Sequence, residues 1–472
     1  MSSPNQKKAI FVFPAASGHI NPSLPLARGL VNSGWSVDYL ASTEFKDAII
    51  HTGATFCNRD SIFRSAGIED VTAMVKATAA DYGDPVPQWW LNFGSISTAS
   101  MLPVYIAWFR SRDPHLIVYC PVLCQVALFA SFQLKIPAVS LLTTSGPGYF
   151  DAAIAAMAGA VAVRGVTERL ARSVAAVEKN ATAIESIKSQ LAMPELTLNT
   201  AEPLCRDYYT GTNLVSTTEE LADPMCAADA EYYKKAGKRF FFVGPLLDTV
   251  STPPNGRGGE VMRRVEAAAA ANQPVVYVSM GTVVTSDNEE HGWNGTSGSG
   301  ITGKQLCQSV YRAVFEELGG EEEEVLIVVS LGNQPKALEG VMVPPNAVCA
   351  ASVPQIELLR VATPTLFVTN GGQNSLMESM TVGTPVLVCP GFGDQVANAA
   401  KVTVCGWGDK VDRPPAQVGT DQLPAYQKRV QRGVRAVLDS PNYAAHAKLI
   451  AAGLERAVGV DGALRILIEA AN

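Results

Sequence analysis

Along the chain, short apolar runs rich in valine and isoleucine alternate with longer stretches whose apolar residues recur at helical spacing. "AIFVF" (9–13) is followed by turn-like "PAASGHIN", then by "PSLPLARGLVNSG" with its glycine stop, then by a second run, "WSVDYLAS" (35–42). This succession predicts strand, loop, helix, strand, which is a βαβ unit. The alternation continues through "HLIVYC" (115–120), the helix-like "PVLCQVALFASFQL" (121–134) and "PAVSLL" (137–142). An open parallel sheet wrapped by helices is the expected first half. Residues 151–195 are alanine-rich with charges at helical spacing, which predicts amphipathic helices.

Proline, glycine and small polar residues then cluster in "LLDTVSTPPNGRGGEVMRR", Leu246 to Arg264, the pattern of a linker. A second βαβ series begins at "PVVYVSMGT" (274–282) and runs through "EVLIVVS" (324–330), "TLFVTNGG" (365–372) and "TPVLVCPGFGDQ" (384–395). The expected fold class is α/β: two doubly wound, Rossmann-like parallel-sheet domains in tandem, with a cleft bordered by the carboxyl ends of their strands. The boundaries read as residues 1–248, a linker at 249–272, a second domain at 273–455 and a closing helix at 456–472. Between strands, "SDNEEHGWNGTSGSGITGK" (286–304) carries Gly298, Gly303 and Lys304 at the spacing of a phosphate loop, yet Gln305 replaces the Ser/Thr and no strand precedes it. A flexible surface insertion is expected there, and a solvated turn at the "EEEE" of 321–324.

Composition narrows the function classes. At 472 residues and 47% hydrophobic, the chain is too long for one ordinary core, which agrees with two domains. A net charge of −7 and the lack of any lysine- or arginine-rich stripe argue against a nucleic-acid partner and favour a small molecule. The nine cysteines are scattered and mostly embedded in apolar runs, the usage of a reducing compartment. Only Cys120 and Cys124 stand close, without a histidine at a spacing that completes a zinc set, so packing and not a metal site is expected. The amino end is too quickly broken for a signal-peptide core, and no segment offers ~18 uninterrupted apolar residues. A cytoplasmic protein with no membrane span is the expectation; the oligomeric state is open.

The most informative stretch is "TLFVTNGGQNSLMESM", Thr365 to Met380. After its strand, Gly371 and Gly372 permit a sharp turn and close ligand approach, and Asn374 and Ser375 open the next helix. Amides at a helix start form an anion site. Glu378 lies one helical turn beyond Asn374, on the same face, where a carboxylate can accept ribose hydroxyls. A nucleoside diphosphate fits this set.

From Ser352 to Ala400 the sequence resembles the donor signature of family 1 glycosyltransferases, the UDP-glycosyltransferase type that glycosylates small lipophilic molecules. "FPAASGHINPSLPLARGL" and the closing "GALRILIEA" are similar to further family elements. The resemblance implies the GT-B fold, with the carboxyl-terminal helix returning to the first domain. It implies that Gln355 meets the uridine, Glu378 the ribose, and Gly372, Asn374, Ser375 and Thr282 the diphosphate, with Asp394 and Gln395 on the sugar hydroxyls. It further implies that His19 is the general base. No DxD triplet occurs, so helix amides, worth roughly 0.3–1 kcal/mol per exposed terminus, are expected to stabilise the departing diphosphate in place of a metal.

Three positions depart from the family pattern. Cys120 stands where an aspartate usually pairs with the histidine, Asn370 where a histidine precedes Gly-Gly, and Ser352 where many members carry a tryptophan. Trp89, Trp90 and Phe93, in "VPQWWLNFGS", are candidates for an apolar acceptor pocket. The expected activity is an inverting, metal-independent transfer of a hexose, glucose from UDP-glucose, to a small lipophilic, phenolic acceptor, with no cofactor beyond the nucleotide sugar as co-substrate. Two alternatives stay open: a non-catalytic nucleotide-sugar binder or partner subunit, motivated by the missing aspartate and histidine, and a sugar-nucleotide epimerase of the same fold.

Overall fold

The computed structural model describes residues 6–69, 95–149, 152, 178–191, 208–249, 259–320, 325–415 and 420–472. Trp89, Trp90, Phe93, the 321–324 glutamates and much of 151–195 lie outside the described residues.

Two compact units emerge. The first holds the described residues up to Asp248 together with Val458–Asn472, and the second holds Thr249–Ala457. In the first, seven strands, β1 (Lys8–Val12), β2 (Ser36–Ala41), β3 (Thr55–Asn58), β4 (Leu116–Tyr119), β5 (Ala138–Leu142), β6 (Thr212–Val215) and β7 (Arg239–Phe242), lie in the order β3-β2-β1-β4-β5-β6-β7. Every neighbouring pair is parallel. The second sheet has six parallel strands, β8 (Val275–Ser279), β9 (Leu326–Ser330), β10 (Ala347–Ala350), β11 (Leu366–Thr369), β12 (Val386–Val388) and β13 (Gly408–Lys410), in the order β10-β9-β8-β11-β12-β13.

The apolar runs become central strands because helices cover both faces of a parallel sheet. Leu116–Tyr119 and Leu366–Thr369 are buried at every residue. The strands that the apolar pattern did not single out are β3, β7, β10 and β13, all at sheet edges, and β6, whose Asn213 is buried by accepting a hydrogen bond from Ser140 Oγ at 2.7 Å. Both sheets reverse their winding beside the first strand of the unit, between β1 and β4 and between β8 and β11. In doubly wound sheets the crevice at such a point is where ligands bind.

Two expectations about connecting sequence need revision. Within the stretch assigned to the linker, Gly259–Ala270 is a helix. Its Val261, Val265 and Ala268 recur at helical spacing and pack it beside β9, β10 and the helix Gln355–Ala362; the neighbouring proline and glycine masked that period. The 286–304 segment is not a loose surface insertion. Trp293 and Ile301 are buried in the second core, and Thr302 with Gln305 forms a reciprocal capping box at the start of the helix Gly303–Leu318. The glutamine that ruled out a phosphate loop is therefore used as a cap.

The closing helix Gly459–Ala470 belongs to the first unit, as expected. Gly459 donates to the Val243 carbonyl at 2.8 Å, and Ala463 and Leu467 are fully buried in the first core. Gly29 in the helix Leu24–Asn32 makes the close approach possible, since a Cβ there would lie 2.2 Å from Leu464 Cδ1. Leu467→Ala is expected to destabilise the first unit by about 2–5 kcal/mol. Urea unfolding followed by probes in each unit checks this: the first unit's midpoint falls and the second's stays.

Candidate functional site

Three neighbouring strand ends of the first sheet converge on His19. After β1 the chain passes through Pro14 into the short helix Ser17–Ile20, where fully buried Ile20 anchors the turn and leaves His19 half-buried beside it. Ser23 secures that turn by donating to the Ile20 carbonyl at 2.6 Å and by pairing with the Tyr39 hydroxyl on β2. Cys120 follows β4 and is held against β1 by its own amide, which donates to the Val12 carbonyl at 3.1 Å. Its Sγ lies 3.4 Å from His19 Nδ1. Thr143, the first residue after β5, brings its Oγ1 to 2.8 Å from the same nitrogen.

Sequence reasoning missed Thr143. The available signal was the pair of hydroxyls in "LLTTSG" directly after a buried strand. Cys120 is fully buried, and burial pushes its thiol up to about 12, so it stays protonated at neutral pH. Burial also brings His19 down to about 4. The imidazole is therefore neutral over the physiological range, and its Nδ1 faces two uncharged partners.

In the second unit the predicted donor residues gather around the switch point. Gly371 ends the strand run of β11 with φ +82°, and a Cβ there would sit 2.5 Å from Val388 Cγ1, so only glycine fits. Buried Asn370 accepts from the Gly372 amide at 3.4 Å, an Asx turn that closes the corner. Its amide leaves no room for a side chain at Gly281, where a Cβ would lie 2.5 Å from Asn370 Nδ2. Asn370 thus joins the loop after β11 to the loop after β8, which carries exposed Thr282.

The helix Gln373–Thr381 starts at Gly372, which has no side chain to cap it, and carries Asn374, Ser375 and Glu378. Gln355, first residue of the helix Gln355–Ala362, donates from Nε2 to Ser375 Oγ at 3.1 Å and to Glu378 Oε2 at 2.5 Å. Its Oε1 accepts from the Tyr277 hydroxyl at 3.0 Å. The Gln355 side chain is thus used in holding the carboxylate, a role the sequence did not indicate. Burial raises Glu378 to about 7 against the opposing effect of the Gln355 hydrogen bond.

Asp394 and Gln395 begin the helix Asp394–Val404 after β12. Buried Gln395 accepts through Oε1 from the Gly391 and Phe392 amides at 2.9 and 3.2 Å, folding its own loop. Asn398, also unanticipated, donates to the Gly371 carbonyl at 2.9 Å and to Asp394 Oδ2 at 3.4 Å. It sits one turn after Asp394, the spacing that could have marked it. The structure therefore brings together His19 with Cys120 and Thr143 in one unit. In the other it brings together Gln355, Ser375 and Glu378, and links Asn370, Gly372, Asp394 and Gln395 through the loops after β11 and β12.

Comparison with known proteins points the same way. Residues 248–414 match the family described as UDP-glucoronosyl and UDP-glucosyl transferase. The NDP-glycosyltransferase YjiC of Bacillus subtilis (strain 168) is 23% identical over 450 residues, 95% of this chain and 93% of that protein. The uncharacterized UDP-glucosyltransferase YojK of the same strain is 27% identical over 234 residues, and there the match spans about half of each chain, 50% and 47%. Among solved structures, the glycotransferase of kitacinnamycin superposes with a TM-score of 0.66 at 20% identity, over 99% of this chain and 100% of that one.

The raised Glu378 pKa has a stability consequence. A carboxyl whose folded pKa of about 7 exceeds the ordinary 4.5 contributes stability that is fully present below about 4.5 and lost as pH rises through 7. Glu378→Gln removes that dependence. Its Tm relative to the parent is expected to be higher at pH 8 than at pH 4.5, and a difference that does not change with pH would mean that the carboxyl ionises normally.

Proposed function

We propose, from the premise that this chain is a family 1 glycosyltransferase of the GT-B fold, that it moves glucose from a uridine diphosphate donor to a phenolic hydroxyl of a small lipophilic acceptor. The transfer inverts the anomeric centre and needs no metal. The observation that carries the donor side is the buried Glu378 carboxylate, held by Gln355 one turn into a helix that begins at Gly372 on the switch point of the second sheet. A ribose offers hydroxyls to that carboxylate, and the helix start offers amides to the diphosphate. The Asp394 loop then meets the sugar. No described helix is long and apolar enough to cross a membrane, which is compatible with an acceptor taken from water.

In the reaction the acceptor oxygen attacks the anomeric carbon while the bond from that carbon to the diphosphate oxygen breaks, and the electron pair leaves with the diphosphate. The acceptor proton passes to His19 Nε2. Across the 2.8 Å contact of Thr143 Oγ1 with Nδ1, the tautomer in which Nδ1–H donates to the hydroxyl leaves the lone pair on Nε2 for this step. The imidazolium that forms has a hydroxyl and a protonated thiol beside it in place of a carboxylate. A base at about 4 has little drive to take a proton from an alkyl alcohol, whereas a phenol, near 10 as in tyrosine, needs far less help. This favours the phenolic acceptor.

The missing carboxylate also favours a second reading, a nucleotide-sugar binder that does not turn over. The two readings separate when the protein is incubated with UDP-glucose or dTDP-glucose and a panel of phenols and alkyl alcohols, with products read by mass. Transfer predicts a hexose adduct on phenols and a loss of about 10²-fold or more in His19→Ala. Binding alone predicts donor affinity, no adduct and no effect of His19→Ala.

Cys120→Asp tests the base. The acid limb of kcat/KM, which falls as pH drops through the His19 pKa near 4, is expected to move up toward 6.5, because a carboxylate favours imidazolium. Alkyl alcohols are expected to gain at least about tenfold. An unmoved limb with an unchanged alkyl rate would exclude His19 as the base.

A further inference from the structure

The 286–304 segment is fastened to the loop that carries Asp394 and Gln395. His291 lies flat on Phe392, with ring centroids 4.2 Å apart and planes 2° apart. The imidazole is held from its other edge by Ser297 Oγ, 3.1 Å from Nδ1, with Glu290 3.6 Å from Nε2. Arg413, which follows β13, donates from Nη1 to the Gly391 carbonyl at 2.8 Å and from Nη2 to the Ile301 carbonyl. One guanidinium thereby joins the end of the segment to the start of the 391–395 loop.

The anchoring is rigid on both sides. Trp293 and Ile301 are buried, the Trp293 carbonyl accepts from Lys304 N at 2.7 Å, and Trp293 N donates to Ser286 O at 2.7 Å. Gly292 and Gly295 pack so tightly that a Cβ on either would lie 2.4 Å from neighbouring backbone. On the other side, Gly393 takes φ +58°, ψ −131°, and Gln395 closes the loop through Oε1. That backbone is open only to glycine and persists where its surroundings impose it. Gln395 Oε1 is engaged within the loop, so the loop's path, and not side-chain reach, sets where Asp394 and the Gln395 amide group point.

We propose that residues 286–302 form a clasp that sets the Gly391–Gln395 loop for the donor sugar, with His291 and Arg413 as its positioning residues. The proposal rests on the reading that Asp394 and Gln395 meet the sugar. His291 acts through the flat face of Phe392 and does not touch substrate. Shape governs the stack, so a phenyl ring can replace the imidazole. A loop left loose by about 1 Å loses much of its value to a bound ligand.

Three variants test this: His291→Ala, His291→Phe and Asp394→Ala, each read by amide hydrogen exchange in the ligand-free protein and by the affinities for UDP and UDP-glucose. His291→Ala is expected to raise exchange across 391–395 and to weaken UDP-glucose about tenfold while leaving UDP unchanged; His291→Phe restores both. Equal losses of UDP and UDP-glucose, or unaltered exchange in His291→Ala, would overturn the clasp. Asp394→Ala keeps the two readings apart. If it leaves the ratio of UDP-glucose to UDP affinity unchanged while His291→Ala still loosens the loop, the sugar assignment has failed and the fastening has not.

Discussion

A parallel strand can be followed by another only if the chain crosses back over a face of the sheet, so every strand's carboxyl end opens onto the same edge. In each unit of this protein that constraint gathers the chemistry. The first sheet sends β1, β4 and β5 out side by side; the loop after β1 carries His19, and the residues directly after β4 and β5 bring Cys120 and Thr143 to its Nδ1. The second sends out β8, β11 and β12, and their loops carry Thr282, the Asn370–Gly372 corner and the Asp394–Gln395 pair. Strand order, once fixed by burial of the central runs, decides which loops are neighbours.

Polar side chains then set each loop. Asn370 and Gln395 both spend a carbonyl oxygen on backbone amides of their own turns. Gln355 is fully engaged with Tyr277, Ser375 and Glu378. Asn370 and Gln395 are buried and Gln355 is half-buried; leaving a buried one unpaired would cost about 1–3 kcal/mol, and satisfying them within the loop fixes its shape before a ligand arrives. Residues that a motif assigns to a ligand are here also the ones that hold the backbone for it.

The electrostatics of the two units run in opposite directions from one cause. Burial raises the Glu378 carboxyl to about 7 and lowers the His19 imidazole to about 4, in each case favouring the neutral form. A neutral histidine is ready to accept a proton but binds it weakly. Cys120 matters for that reason: a thiol held near 12 supplies no charge to the ring. Thr143 can orient the imidazole but cannot stabilise its cation.

The sequence by itself determined the two βαβ series, because fully buried parallel strands read as unbroken apolar runs, and it determined the Gly371–Gly372 corner, because a positive φ of +82° beside Val388 admits no other residue. The place of the Glu378 carboxylate was legible from spacing along its helix, whereas His19 was singled out through the resemblance of its motif. Tertiary structure alone decided the edge strands β3, β7, β10 and β13, which are only partly buried at the sheet margins. It also decided Thr143, Asn398, His291 and Arg413. Each of these acts on a residue 4 to 124 positions away in the chain, or more than 100 in three of the four cases' longest links, through contacts of side chains with backbone or rings. Local pattern records what a segment buries, whereas which loop it meets is set by the sheet as a whole.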